Sequence, residues 1–414
     1  MREKLELRSN KYSIQIGANQ ILGIRTTETI ARAVRIFEEG KLGTAVAKGD
    51  TDFQVLIQEA DADIDLGLEY DYKLPSKNIY FRDYAADFSE MELSDLHETS
   101  KEILSFLIKN FPDYLFNNSI SYATSSTLLE NSLGVSLYKR EREFQAILLF
   151  KEKGSPNLID GYIYYNTARD IDLAPFYKYC FNFFKAFSEE IEINSKKYPI
   201  VFTEPFIQRA ILSKFFHALN GKNYYEGVSL LSNKIGEKIF SNDFTLLDTA
   251  LLPEFGITNP FDLEGSIRED HNLILIKNGV LKAVALDLAT AAKYGKKTTG
   301  NGYRTYRSNP KIGFNLLNIK PSIKPLNEIL RNKTAIVPIM MSGGDYTDKG
   351  DFASPVQLAL VYKNGKLIGK ANQIQISGNF FHMFNKDFMG SASDRFISYS
   401  PTTPFVIEME IKAL

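Results

Sequence analysis

Two apolar runs, residues 273–277 and 280–286, are separated only by Asn278-Gly279. That pair is the strongest short-range signal for a two-residue β-hairpin, because Asn and Gly tolerate the positive φ needed at both central positions. Asp287 follows as the N-cap of a helix through Tyr294, and Gly295 can end that helix in the left-handed conformation. Residues 261–302 thus read as hairpin, short helix and glycine-bearing loop. The stretch specifies architecture only, since it holds no nucleophile and no metal cluster.

Upstream, Ile14, Ile16 and Ala18 alternate with Ser13, Gln15 and Gly17, and residues 30–37 alternate around Arg32 and Arg35. Period two argues for strands. After a turn at Glu39-Gly40, residues 42–47 form another strand, and residues 49–52 lead into a helix ending at Ala60. A second helix covers 93–111, with Leu93, Leu96, Ile103, Leu104, Leu107 and Ile108 on one face. A second meander spans 119–150, its polar run 138–143 reading as an exposed strand or turn. Asp172 caps a third helix reaching Ile191. The polar residues 194–197 mark the domain boundary, giving domains 1–194 and 195–414. The second half opens with a strand over 199–203 and a helix over 205–219, then becomes strand-rich. These elements predict an α+β fold: an N-terminal domain of antiparallel sheets with packed helices, and a C-terminal β-rich domain with short helices.

Lys and Arg number 49 against 50 Asp and Glu, so no global field favours nucleic acid or an anionic membrane. Absence of Trp beside 30 Phe and 22 Tyr points to a phenylalanine core edged by tyrosine. A single cysteine, Cys180, rules out an intrachain disulfide framework and reads as a buried, inert thiol. The charged N-terminus is no signal peptide, and no window approaches a membrane span. The expectation is a cytoplasmic protein with neither nucleic acid nor membrane as partner.

The wording of several segments goes further. Residues 261–265 (FDLEG), 277–282 (KNGVLK), 292–295 (AKYG) and 298–302 (TTGNG) resemble the C-terminal half of the TldD/TldE (PmbA) metallopeptidase family. Residues 24–29, 33–37 and 41–45 resemble that family's opening sheet. Residues 129–134 resemble its N-S-x-G hairpin, and 347–352 with 364–366 its late segments. Shared order over nearly the whole length carries the resemblance. It implies a pair of subunits, one a zinc peptidase and the other metal-free.

In the catalytic subunits of that family the helix after the 199-type strand carries H-E-x-x-x-H. Two histidines on adjacent turns of one face hold zinc, the glutamate activates water, and a late cysteine completes the set. Residues 235–237 fix the register and place Leu212-Ser213-Lys214-Phe215-Phe216-His217 over the motif. Only His217 survives, and no cysteine follows Gly390. His217 therefore reads as a degenerate motif position, a partly buried helix histidine with a hydrogen-bonded ring. No metal, cofactor or catalytic residue is assigned to this chain, and zinc is expected in a TldD-like partner subunit.

The other histidines, His97, His271 and His382, default to surface or core roles. A Ser-His-Asp triad stays open, because its members need not be adjacent, but no G-x-S-x-G elbow occurs. Asp262 and Glu264 alternate on what reads as an extended segment, so they should face apart. Gly343, Gly344 and Asp345 read as a cleft loop lining a peptide. The resemblance implies a non-catalytic, TldE-like subunit that, with its partner, processes or degrades unfolded peptides such as leader segments. Two alternatives stand beside it: a peptidase acting alone through another site, and a homodimeric peptide-binding protein without catalysis.

Overall fold

The computed structural model describes every residue except 269. The chain is α+β, built on two large sheets. Charged residues open β1 (Arg2–Gly17), which alternates from its start rather than from Ser13 onward. It runs against β2 (Gln20–Glu38) over its full length. Next come β3 (Lys41–Lys48), β4 (Leu68–Glu69), β5 (Ile79–Asp83), β6 (Tyr114–Asn131), β7 (Ser136–Glu152) and β8 (Gly161–Thr167). These eight form one sheet in the order β4-β3-β2-β1-β6-β7-β5, with β8 also on β7.

Helix α1 (Phe53–Ala62) is capped by Asp52, whose side chain accepts from the Gln54 N–H. It packs on Val34, Ile36 and Ala45. Helix α2 (Leu93–Asn110) lays Leu96, Ile103, Leu104 and Leu107 on the same face of the sheet, against Ile14, Phe116 and Ile120. Helix α3 (Ala174–Phe187) ends earlier than expected, and Glu190–Ile191 becomes the short strand β9.

The polar run 138–143 is not an exposed turn but the middle of β7. Period two sends Lys139 and Glu141 to one face, where Lys139 Nζ donates to the Thr258 carbonyl at 2.8 Å. Arg142 points the other way and bonds the carbonyls of Ser89 and Arg169.

The second sheet has nine strands. In it β10 (Lys196–Phe202) lies parallel to Ala335–Met341, which also pairs with Asp351–Lys363, and antiparallel to Phe405–Ala413. Ile374–Asn379, Asp351–Lys363 and Lys366–Ala371 continue it outward to β9. One apolar cluster crosses position 194: Phe176, Cys180, Phe183 and Phe184 of α3 share it with Val201, Val337, Leu360 and Val406. Helix α3 thus lies between the two sheets, and Cys180 is fully buried there, with its thiol pKa pushed well up by desolvation. Among the described residues, no helix is long and apolar enough to cross a membrane.

The 278–279 hairpin forms as expected, with φ of 50° and 77° at its two turn residues. A Cβ on Gly279 would stand 2.1 Å from the Phe240 carbonyl oxygen, so the position requires glycine for space as well as for φ. The second strand stops at Leu281. Beyond it Ala285 bridges to Asn220, which diverts the chain from the ladder.

Candidate functional site

Strand β10 delivers the chain into Thr203-Glu204-Pro205, and Pro205 opens helix α4 (Pro205–Ile211). The expected single helix breaks at Leu212 (φ −85°, ψ 0°) and resumes as α5 (Ser213–Ala218). What anchors α5 is Phe215, fully buried with ring centroids 4.7 to 5.6 Å from those of Phe240, Phe244, Phe380 and Phe384.

This anchoring decides where the motif positions fall. Leu212 is 2 % exposed inside the same apolar cluster, whereas Ser213 and His217 are exposed. Leu212, at the break between the two helices, turns into the core while His217 turns to solvent, so the two side chains do not meet on one face. His217 is not the partly buried, ring-bonded histidine expected. Its backbone carbonyl accepts from Asn223 Nδ2 at 3.1 Å, and its ring lies at the surface because Phe215 and Ala218 take the inward side.

The glycine loop lies close to these helices. Gly343 and Gly344 have φ of 78° and 107°, and Ser354 Oγ braces the turn by donating to the Gly343 carbonyl at 3.2 Å. Gly343 and Asp345 are exposed. The strand that follows docks on the broken helix: the Tyr346 hydroxyl donates to the Ile211 carbonyl at 2.7 Å, and Lys214 Nζ to the Thr347 carbonyl at 3.0 Å. The loop and the motif helix, 130 positions apart in sequence, therefore share one surface.

The FDLEG segment corrects another expectation. It is a tight loop, not an extended strand. Asp262 Oδ1 accepts from the N–H groups of Glu264 (3.0 Å) and Ser266 (2.8 Å), and Oδ2 from Gly302 (3.0 Å). Gly265, at φ 92°, turns the chain. Glu264 Oε2 accepts from the Leu288 N–H at 2.8 Å. The two carboxyls interact rather than facing apart, because a loop closed on one aspartate brings its neighbours inward. Burial pushes Asp262 up to about 6, against the pull of its N–H donors. Burial, reinforced by Asp262, pushes Glu264 well above the usual carboxylate range.

Ion pairs extend this network, one of them across the two halves. Arg304 pairs with Glu3 in the buried interior, and Arg268 Nη2 meets Asp248 Oδ2 at 2.8 Å. Asn301 of the TTGNG loop also bonds Asp248. These contacts hold the loops together.

Among the described residues, no three or more His, Cys, Asp or Glu side chains are placed to hold a metal ion. His271 and His382 are exposed, and His97 Nδ1 lies 3.5 Å from Glu98. One buried group escaped the sequence reading. Glu204 is 1 % exposed, yet Thr-Glu-Pro before a helix looks like an ordinary cap, so nothing in the sequence distinguishes it.

The profile of the PmbA/TldA metallopeptidase C-terminal domain matches residues 195–411. An uncharacterized protein of Methanocaldococcus jannaschii is 27 % identical over 408 residues, spanning 93 % of this chain and 90 % of that protein. A protein of Methanothermobacter thermautotrophicus named a metalloprotease is 28 % identical over 178 residues, 42 % of this chain and 38 % of its own length. Among solved structures, TldE from Thermococcus kodakarensis superimposes with a TM-score of 0.82 at 20 % identity, covering 100 % of this chain and 96 % of that one. At that identity the likeness concerns the fold.

Proposed function

The chain belongs to the PmbA/TldD metallopeptidase family, and on that premise we propose that it is the non-catalytic, TldE-like subunit of a heterodimeric zinc peptidase. The observation that carries this reading is the occupant of the first zinc-ligand position. Leu212 stands there, packed into an apolar cluster, and Ser213 replaces the general base. The residues present do not fit zinc: a hydrocarbon and a hydroxyl flank one exposed histidine, where a catalytic site takes about three N, S or carboxylate ligands. Hence this chain carries no zinc-assisted hydrolytic step of its own.

Its role is to pack against a TldD-like subunit that holds the zinc, and to supply part of the wall of a chamber for unfolded peptides. Leader segments of modified peptides are one such substrate class. The surface shared by α4, α5 and residues 342–347 is the part of the wall closest to the degenerate motif, and Gly343, Gly344 and Asp345 would line the peptide there. The complex would work in the cytoplasm.

The test is metal analysis and cleavage of an unstructured peptide by this chain alone and after co-expression with a TldD-like subunit. A stable heterodimer, with chelator-sensitive cleavage only in the mixture, is expected. One zinc per chain and cleavage by the isolated protein would refute the assignment. Recovery of homodimers that retain peptide without cutting it would instead favour a binding protein.

A further inference from the structure

Helix α3 buries Phe176, Cys180, Phe183 and Phe184, and its other side runs along a cleft of about 920 Å³. Ala174, Lys178, Asn182 and Lys185 line the helix wall over three turns. Lys366 and Leu367, which open the strand Lys366–Ala371, and residues 394–399 also line it. None of the lining residues belongs to α4, α5 or residues 342–347. The cleft is thus a second concave surface, apart from the proposed chamber wall.

Spacing brings the polar residues of that wall together. Positions 178, 182 and 185 stand at i, i+4 and i+7, which is one face of a helix, and all three are exposed. The apolar part of the cleft is Leu367, Phe396 and Tyr399, half-buried and packed on the main core cluster. The Phe396 ring is held 5.9 Å, centroid to centroid, from that of buried Tyr362. These side chains make a firm surface that an apolar group can cover.

Four cations and two carboxylates line the cleft, although the whole chain has 49 Lys and Arg against 50 Asp and Glu. Both carboxylates are engaged with backbone. Asp172 Oδ1 accepts from the Ala174 N–H at 3.0 Å, and Asp394 Oδ1 from the Leu326 N–H at 2.7 Å. Arg395 is engaged too: its Nε donates to the Ser400 carbonyl at 3.0 Å, and its guanidinium sits 4.6 Å from the centroid of the Phe255 ring. Lys178, Lys185 and Lys366 form no ion pair among the described residues, whereas Lys324, Lys333 and Lys370 each pair with a glutamate. Like charges gathered in one cleft repel, and an anionic ligand offsets that.

We propose that this cleft binds an acidic segment of an extended peptide, its carboxylates on Lys178, Lys185 and Lys366 and an apolar side chain on Leu367, Phe396 and Tyr399. The choice of a peptide rests on the peptide-handling role proposed above, and the site adds the composition of the peptide to that role. Shape agrees with a chain rather than a single small anion. From Ala174 to Lys185 the helix wall rises about 16 Å, the length of about five extended residues. Lys178 and Lys185 are about 10 Å apart along the axis, which suits carboxylates two to four residues apart on an extended chain. Asn182, between them, presents an amide that can both donate to and accept from peptide main chain. Because the lysines are exposed, the attraction is salt-sensitive and selects among peptides more than it tightens binding.

The experiment measures fluorescence anisotropy of labelled unstructured peptides, of equal length and each with one Phe, added to the full chain. One peptide carries Glu residues, the second Gln and the third Lys at the same places. The acidic peptide should bind about tenfold tighter than the Gln peptide, the Lys peptide should not bind, and raising NaCl from about 50 to 300 mM should remove the difference. Lys178→Gln with Lys185→Gln should weaken the acidic peptide by about threefold or more without harming the helix, since both positions are exposed and Gln is a good helix former. Lys296→Gln with Lys297→Gln, the same charge change on another surface, should leave binding as it was. Equal affinity for the Glu and Gln peptides, or an equal loss in the two double variants, overturns the proposal. Inorganic phosphate that binds more tightly than the acidic peptide and displaces it also overturns it, in favour of a small anion. The readout needs neither zinc nor a partner, so an active heterodimer whose subunit ignores the acidic peptide refutes this site alone. Acidic-peptide binding without any heterodimer refutes the subunit role alone.

Discussion

Replacing Leu212→His together with Ser213→Glu restores the letters H-E-x-x-x-H without restoring a zinc site. Leu212 is 2 % exposed in the cluster that holds Phe215, Ile211 and Leu219. Removing a fully buried leucine side chain forfeits about 1.5–3 kcal/mol of transfer free energy. An imidazole buried there without a partner adds about 1–3 kcal/mol. Ser213 is exposed, so Ser213→Glu contributes within about 0.5 kcal/mol. The double variant should thus lose roughly 3–5 kcal/mol, a large share of the ~5–15 kcal/mol that stabilises a typical domain.

Zinc discriminates between the possible outcomes. Were a site assembled, zinc at 1,000 times its Kd would return about 4 kcal/mol and nearly cancel the loss. The buried side chain at 212, the exposed one at 217 and the missing late cysteine say that it is not assembled. The assay is thermal unfolding of wild type and double variant with and without zinc, plus zinc content after desalting. A destabilised variant with no zinc-dependent rescue is expected. One zinc per chain with a restored Tm would refute the placement of these positions.

Two further perturbations test the loops that brace the fold. Asp262 has its folded pKa raised from 3.8 to about 6, and Glu264 is raised as well. The folded state therefore binds more protons, so this contribution is fully present below pH 4 and is lost as pH rises through 6. For Asp262 it is on the order of 1–3 kcal/mol. Glu264→Gln keeps the shape of the protonated acid and removes its charge. Its Tm should gain on wild type as pH rises from 4.5 to 8, and a constant difference across that range would sink the account. Gly279→Ala should lower the urea midpoint by the equivalent of about 2 kcal/mol or more, from the left-handed φ and the close Phe240 carbonyl. An unchanged midpoint would show that the turn relaxes freely.

How much of this was legible in the sequence depended on range. The Asn278-Gly279 turn and the Asp287 cap are local, set by φ and capping, and each appears in the fold; strand β2 forms too, but its residues 33–37, Arg35 included, are buried on both faces instead of alternating. Reading 138–143 as exposed failed because the burial of Lys139 and Arg142 is decided by Thr258 and Ser89, far along the chain. Asp262 and Glu264 were misjudged for the same reason: Gly302 and Leu288 close the loop around them. At the motif helix the letters were readable, but the break at Leu212 was not, since it follows from how Phe215 packs among four other phenylalanines.

The position of α3 bears on how the protein is made. As synthesis proceeds, Phe176, Phe183 and Phe184 emerge early, but the strands that cover their second side do not. Val337 comes later, and Val406 lies on the final strand. Strand β10 likewise waits for Phe405–Ala413 as its neighbour. At ~5–20 residues per second, roughly 200 residues of elongation leave that apolar face open for about 10–40 s. A nascent chain of this design has to be sheltered on the ribosome, and a truncation removing the last nine-residue strand should behave as a chaperone client rather than as a smaller protein.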